Sequence, residues 1–277
     1  MRTTRPQAQI IAVIDLTQEP EERPAPPTLL IRLKQHKVKD PSAQVPNFIR
    51  QTAQSTIPQN LLTQAVSSTL VFAGESAGTA VCISPGGLLL ICSHCVAETR
   101  AALKSNDRSW LITSDGHPVE GKCIAGDPKR DIALLQIVTA PYIFTRDGFA
   151  FALMSKTPPK RNSQLLCVGH PGSGDFKAAT SGVPTGSDVL HISEGRFRGL
   201  APGQDVQDNS DIGALQHDCW TYWGHSGAPL IEKKASGKLI GLHSSWEDHT
   251  GLRRGIALQA IQEFLAEHCT NVTRRGS

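Results

Sequence analysis

A chain of 277 residues can bury a full hydrophobic core, and all-β double barrels of this size form one folding unit. A formal charge of +3, from 28 basic and 25 acidic residues, is too weak to mark a nucleic-acid-binding surface, and no apolar run approaches the roughly 20 residues of a membrane span. Seven cysteines at irregular spacing, behind an opening Met1-Arg2-Thr3-Thr4-Arg5-Pro6 without an apolar leader, exclude a disulfide scaffold. They predict a soluble intracellular protein, nuclear or cytoplasmic and not secreted.

Residues 1–57 are dominated by Pro, Gln, Thr and charged side chains with no sustained period, which predicts a disordered tail ahead of a folded domain at 58–277. Within the tail, residues 10–17 form an isolated β-prone run followed by Glu19, Glu21 and Glu22. Such a run can add itself to the edge of a partner's sheet while its acids meet a basic rim. Val13, Ile14, Asp15 and Leu16 resemble a SUMO-interacting motif, which implies SUMO or SUMO-modified proteins as partners. A strand docked on the chain's own barrel is the alternative. Arg32, Lys34, Lys37 and Lys39 read as a solvated linker, with a nuclear-import patch as the other reading.

From Leu61 onward the texture changes to short apolar runs separated by Gly, Ser and Pro, at residues 69–73, 78–84 and 87–92. These read as strands and hairpins, with Ser84-Pro85-Gly86-Gly87 as a tight turn. A short helix is expected over residues 94–103, then strands at 110–113, 118–125 and 131–138. Pro158-Pro159-Lys160-Arg161-Asn162 reads as a connection to a second set of strands that starts at Gln164. Gly169-His170-Pro171-Gly172-Ser173-Gly174 lacks the Gly-Lys-Ser/Thr ending of a phosphate loop and reads as a hairpin loop. Residues 182–211 are polar and predict a long surface loop. A strand over 238–244 follows, and residues 255–268 show helical spacing through Ile256, Leu258, Ile261, Phe264 and Leu265.

The chemistry centres on Gly224-His225-Ser226-Gly227-Ala228-Pro229-Leu230, where flanking glycines let the backbone turn and leave a serine hydroxyl exposed. A serine becomes a nucleophile when a histidine takes its proton and a carboxylate holds that histidine. His94 in Ser93-His94-Cys95, after an apolar strand, and Asp131 at the head of Asp131-Ile132-Ala133-Leu134-Leu135 are the candidates. Taken singly, each has a bland reading: a serine in a turn, a structural histidine, a carboxylate in a hairpin. Cys92 and Cys95 form a CxxC, but no second close pair completes a zinc site, so buried thiols are expected, with no metal and no cofactor.

In this order His, Asp and Ser, with strings similar to AAHC, DIALL and GDSGGP, resemble the trypsin-like serine peptidases, and most of all their Deg/HtrA-like branch. The resemblance covers residues 61–268. It implies an all-β fold of two six-stranded antiparallel β-barrels with a C-terminal helix, and a serine endopeptidase acting on protein or peptide substrates through an acyl-enzyme. It also implies an oxyanion hole from the amides of Gly224 and Ser226. Ser244 matches the serine that supports the catalytic aspartate, and with Ser245 and Trp220 it belongs to the substrate-binding region. With 51 residues after Ser226 no PDZ domain is expected, and a homo-oligomer is compatible with the resemblance. His225 stands where secreted trypsins carry the aspartate that pairs with a new N-terminal amine, so trypsin-type zymogen activation is not expected. Ala228 replaces a family glycine. No acidic residue occupies the pocket positions near Trp220-Thr221-Tyr222-Trp223 that would favour Arg or Lys. A non-catalytic trypsin-fold scaffold and an esterase are the rival functions.

Overall fold

The computed structural model describes residues 59–73, 78–97, 103, 108–171, 190–234, 237–247 and 249–269. The predicted tail, including Val13, Ile14, Asp15 and Leu16, lies outside them.

The chain enters through α1 (Gln59–Ser67) and builds β1 (Thr69–Phe72), β2 (Thr79–Cys82), β3 (Leu88–Cys92), β4 (Arg108–Thr113), β5 (Pro118–Asp127) and β6 (Ile132–Thr139). These close into a barrel in the order β1-β2-β3-β6-β5-β4. A second barrel contains β7 (Gln164–Gly169), β8 (His191–Leu200), β9 (Leu215–His217), β10 (Pro229–Glu232), β11 (Leu239–Trp246) and β12 (Arg253–Ala257), in the order β10-β11-β12-β9-β8-β7. Neighbouring strands are antiparallel throughout both barrels. Closure leaves no open sheet edge. The helices after α1 are α2 (Ser93–Val96), α3 (Tyr142–Asp147) and α4 (Leu258–Cys269). None of the described helices is long and apolar enough to cross a membrane.

Burial follows the residue types. All five residues of β3, Leu-Leu-Leu-Ile-Cys, are buried, because both faces of this strand are covered. In α4, Leu258, Ala260, Ile261 and Phe264 are buried, and the last three join the core of the first barrel, so the last helix of the chain packs on the first barrel. The opposite crossing is made by α1, whose Leu61, Leu62, Ala65 and Val66 pack on Leu166, Val168, Ile192 and Ile231 of the second. Each barrel is thus covered by a helix next in sequence to the other.

Three local readings are corrected. Within the expected loop 182–211, residues 191–200 form β8, paired with β7 from Gln164↔Arg196 to Gly169↔His191. Only Ile192, Ser193 and Phe197 of this strand are buried, so its polar majority conceals it. Residues 253–257 form β12 rather than the start of the terminal helix, since the buried Arg254 finds partners in the Gly213 carbonyl, Gln204 and Glu247. The helix after β3 has four described residues, Ser93–Val96, and includes His94; residues 98–102 lie outside the description.

Candidate active site

The β3/β6 ladder pairs Leu88 with Gln136 and Cys92 with Ile132, so the chain leaving β3 meets the chain entering β6 at one end of the barrel. There the Ser93 amide donates to the Asp131 carbonyl at 3.1 Å. His94, in the first turn of α2, consequently faces the Asp131 carboxylate, with Nδ1 at 3.0 and 2.9 Å from its two oxygens. The His94 amide and the Ser93 hydroxyl both donate to Asp131 Oδ1 at 3.1 Å.

Asp131 has φ 55°, a left-handed conformation unusual for a residue with a Cβ. Its surroundings hold it there. Arg130 pairs with Asp127 and makes a two-armed bond to Glu267 of α4. Asn209, from the second barrel, donates its amide to the Lys129 carbonyl at 2.8 Å and its side chain to the Arg130 carbonyl at 3.3 Å. Burial alone would lower the His94 pKa, but the Asp131 hydrogen bond and the neighbouring Cys95 raise it above the ordinary value of 6.5. The ring remains accessible, 46% exposed, while the Asp131 side chain is 9% exposed.

Ser226 lies on the turn before β10 and is fixed to both barrels. Its carbonyl accepts the Thr79 amide at 2.9 Å and the Cys95 thiol at 3.8 Å, while the Thr79 hydroxyl donates to the Gly224 carbonyl at 2.8 Å. The Gly227 amide donates to the His243 carbonyl of β11 at 2.8 Å. The Ser226 hydroxyl donates to the Ser244 carbonyl at 3.1 Å rather than to His94. Among the described residues, the amides of Gly224 and Ser226 have no intramolecular acceptor. Gly224 has φ 95° and Gly227 φ 85°, and a Cβ on Gly227 would lie 2.1 Å from the Thr79 carbonyl oxygen. Gly227→Ala is therefore expected to cost about 3 kcal/mol or more, read as a lower urea midpoint at unchanged slope.

The remaining expected residues are distributed as follows. The Ser244 hydroxyl contacts Ser245 Oγ at 3.3 Å and makes no hydrogen bond to Asp131; Ser93 occupies that role. Nothing in the sequence singled out Ser93, because a hydroxyl before the histidine is not part of AAHC. Ser245 accepts the Gly213 amide at 3.5 Å. Trp220 and Trp223 are 44% and 41% exposed. His225 is fully buried against Gly169, where a Cβ would lie 2.4 Å from the imidazole. Donor atoms of Cys92, His94 and Asp131 lie within 4.8 Å of one another, the one such three-residue group among the described residues. The Cys92 thiol donates to the His243 carbonyl at 3.4 Å, and burial keeps it protonated, so it is not presented as a thiolate ligand.

Two closed antiparallel barrels with a histidine–aspartate pair on one and a glycine-flanked serine on the other define the trypsin-like serine peptidase class. The chain belongs to the trypsin-like peptidase domain family, whose family model matches residues 78–242. Among curated relatives, it is 26% identical over 201 residues to a probable periplasmic DegP-like serine endoprotease of Ectopseudomonas mendocina, covering 70% of this chain and 36% of that protein. It is also 26% identical over 204 residues to the serine protease HTRA1 of Xenopus tropicalis, covering 73% and 38%. The chain thus spans less than two fifths of the length of these relatives. Among solved structures, the serine endoprotease from Yersinia pestis superposes with a TM-score of 0.54 at 17% identity, over 78% of this chain and 66% of that one. The HtrA-type protease AlgW with tripeptide gives 0.55 at 19%, over 75% and 62%.

The expected nuclear or cytoplasmic setting is overturned by these comparisons, in which periplasmic DegP-like endoproteases recur and point to an envelope or secreted location. That expectation leaned on unpaired cysteines. Cys82, Cys92, Cys95, Cys167 and Cys219 are free because each is packed in the core, and burial pushes the Cys82 thiol up to about 12. Thiols of this kind behave as small apolar side chains and do not report the redox compartment.

Proposed function

We propose that residues 58–277 form a serine endopeptidase, with Ser226 as nucleophile, His94 as general base and acid, and Asp131 as the group that orients His94. The observation that carries this reading is the hydrogen-bonded His94–Asp131 pair beside a loop with two unengaged amides, Gly224 and Ser226. With Nδ1 held by Asp131, the imidazole presents Nε2 to a serine hydroxyl that rotates away from the Ser244 carbonyl. Ser226 Oγ attacks the peptide carbonyl as its proton passes to His94. The two amides receive the developing oxyanion, and His94 returns the proton to the leaving amine. Water then opens the acyl-enzyme by the same steps in reverse. Ser244, Ser245 and Trp220 border the bound peptide.

His94 must be neutral to act as base, and its raised pKa moves that condition to higher pH. The ascending limb of kcat/KM is therefore expected above pH 6.5, with activity lost as pH falls through it. A limb centred below 6.5 in a pH-rate profile would contradict this.

The bond from Ser226 to the Ser244 carbonyl favours one rival, a non-catalytic binding scaffold. A fluorophosphonate probe decides between them: stoichiometric labelling of Ser226 in the folded full chain is expected, and an unlabelled folded protein supports the scaffold. Matched ester and amide substrates separate a peptidase from an esterase. Docking through Val13, Ile14, Asp15 and Leu16 to a SUMO-type sheet edge is a separable part of the proposal. Calorimetric titration of a peptide spanning residues 1–57 with SUMO should give binding that Ile14→Ala and Leu16→Ala abolish, and no heat of binding would remove it.

A further inference from the structure

Behind the Ser226 loop, the second barrel holds an array of histidines that the proposed chemistry does not use. His217 Nε2 lies 3.1 Å from His243 Nδ1, and the His225 ring lies 6.5 Å from His243 and 5.6 Å from His191. Trp220 contacts both His191 and His225, at 4.4 and 5.8 Å between centroids. Arg253, neighbour of the array on β12, places its guanidinium over Trp246. Among the described residues, Thr221 Oγ1, His217 Nδ1, His225 Nε2 and Arg253 Nε are buried without a hydrogen-bond partner. Buried polar atoms in native proteins are almost always paired, so a group of orphans beside a reactive serine calls for a ligand.

The acids nearby do not fill that need. Asp218 is held by Arg198 and the Arg196 amide, Glu194 by Lys233, and Glu247 by Arg254 and Thr250. The tautomers can be followed atom by atom. The Tyr222 N–H donates to His225 Nδ1 at 3.1 Å, which makes Nδ1 the acceptor and places the His225 proton on Nε2. With His217 donating from Nε2, His243 accepts on Nδ1 and likewise carries its proton on Nε2. Desolvation holds His217 and His225 at about 3 and His243 well below the ordinary value, so these rings are neutral near pH 7. Thr221 Oγ1, Arg253 Nε and the Nε2–H groups of His225 and His243 are then O–H and N–H donors without an anion, while His217 Nδ1 is left an acceptor.

We propose that this array is the primary specificity subsite and takes a carboxylate, so that the protein cleaves after acidic residues, with Thr221 and His243 as the groups that recognise the side chain. The inference rests on the serine peptidase reading. A residue whose carbonyl sits on the Gly224 and Ser226 amides directs its side chain between segment 220–222, which runs into Gly224, and the strand at Ser244, whose carbonyl is 3.1 Å from Ser226 Oγ. A carboxylate has only acceptors and matches donors; an apolar side chain leaves them unpaired, and a cation meets Arg253 and N–H groups. Sites built to hydrogen-bond a substrate group reject the analogue lacking it by up to about 10000-fold.

The test uses the full chain with quenched peptides that differ only at the residue before the scissile bond, Glu, Gln, Leu or Arg, alongside fluorophosphonate labelling. Expected is a kcat/KM for Glu at least about 10-fold above Gln and about 100-fold above Leu and Arg. Thr221→Val and His243→Gln should each bring the Glu/Gln ratio towards one. A protein labelled at Ser226 that cleaves Gln or Leu peptides as well as Glu would overturn the inference alone, as would a Glu preference undiminished in both variants. A protein neither labelled nor active would overturn the peptidase reading, and this inference with it.

Discussion

Ser226→Ala is expected to lower peptide hydrolysis by about a millionfold, to the residual rate that positioning and the oxyanion site supply. The side chain makes a single hydrogen bond, to the Ser244 carbonyl, which sits on a strand paired on its other side. The Thr79 and Cys95 contacts use the Ser226 carbonyl, so they survive the substitution. The variant should unfold within about 0.5 kcal/mol of the wild type, and kcat should collapse with little change in KM. Retention of more than about a thousandth of the activity in a folded, purified variant would show that another group is the nucleophile.

Asp131→Asn is expected to lower kcat by about 10000-fold, through the tautomer rather than through the fold. An asparagine amide facing His94 Nδ1 donates where the carboxylate accepts, which moves the imidazole proton to Nε2 and leaves Ser226 without a base. Asparagine tolerates the left-handed backbone found at φ 55°, and its carbonyl oxygen still accepts from Ser93 and the His94 amide. The loss should therefore appear without a matching loss of stability. It should also move any residual acid limb down towards 6.5, since the carboxylate that raises the His94 pKa has gone. An unshifted limb with wild-type rate would show that Asp131 is only a structural carboxylate.

Both substitutions fall on residues legible in the chain. His94, Asp131 and Ser226 stand at the ends of apolar runs, where a strand gives way to a turn, and the strings around them are local. The groups that hold them are not local. Ser93, whose hydroxyl reaches Asp131, precedes the histidine where no motif asks for a hydroxyl. Thr79 and Asn209 act on residues 145 and 79 positions away, Gly224 and Arg130, through bonds that no spacing rule predicts. β8 reads as a loop because a half-buried barrel strand carries Glu194, Arg196 and Arg198 on its outer face, whereas β12, four of whose five residues are buried, reads as the start of the terminal helix because Ile256 falls into the helical spacing of Leu258 and Ile261.

By itself the sequence determined the alternation of short apolar runs and turns, hence an all-β chain, and the three residue types that a serine nucleophile requires. Those are properties of neighbouring residues and of strand period. Only the tertiary structure decided the closure of the two barrels, the β3/β6 register that sets His94 on Asp131, the resting direction of the Ser226 hydroxyl and the histidine array behind it. Each of these depends on contacts between segments distant in sequence, where burial selects the partners.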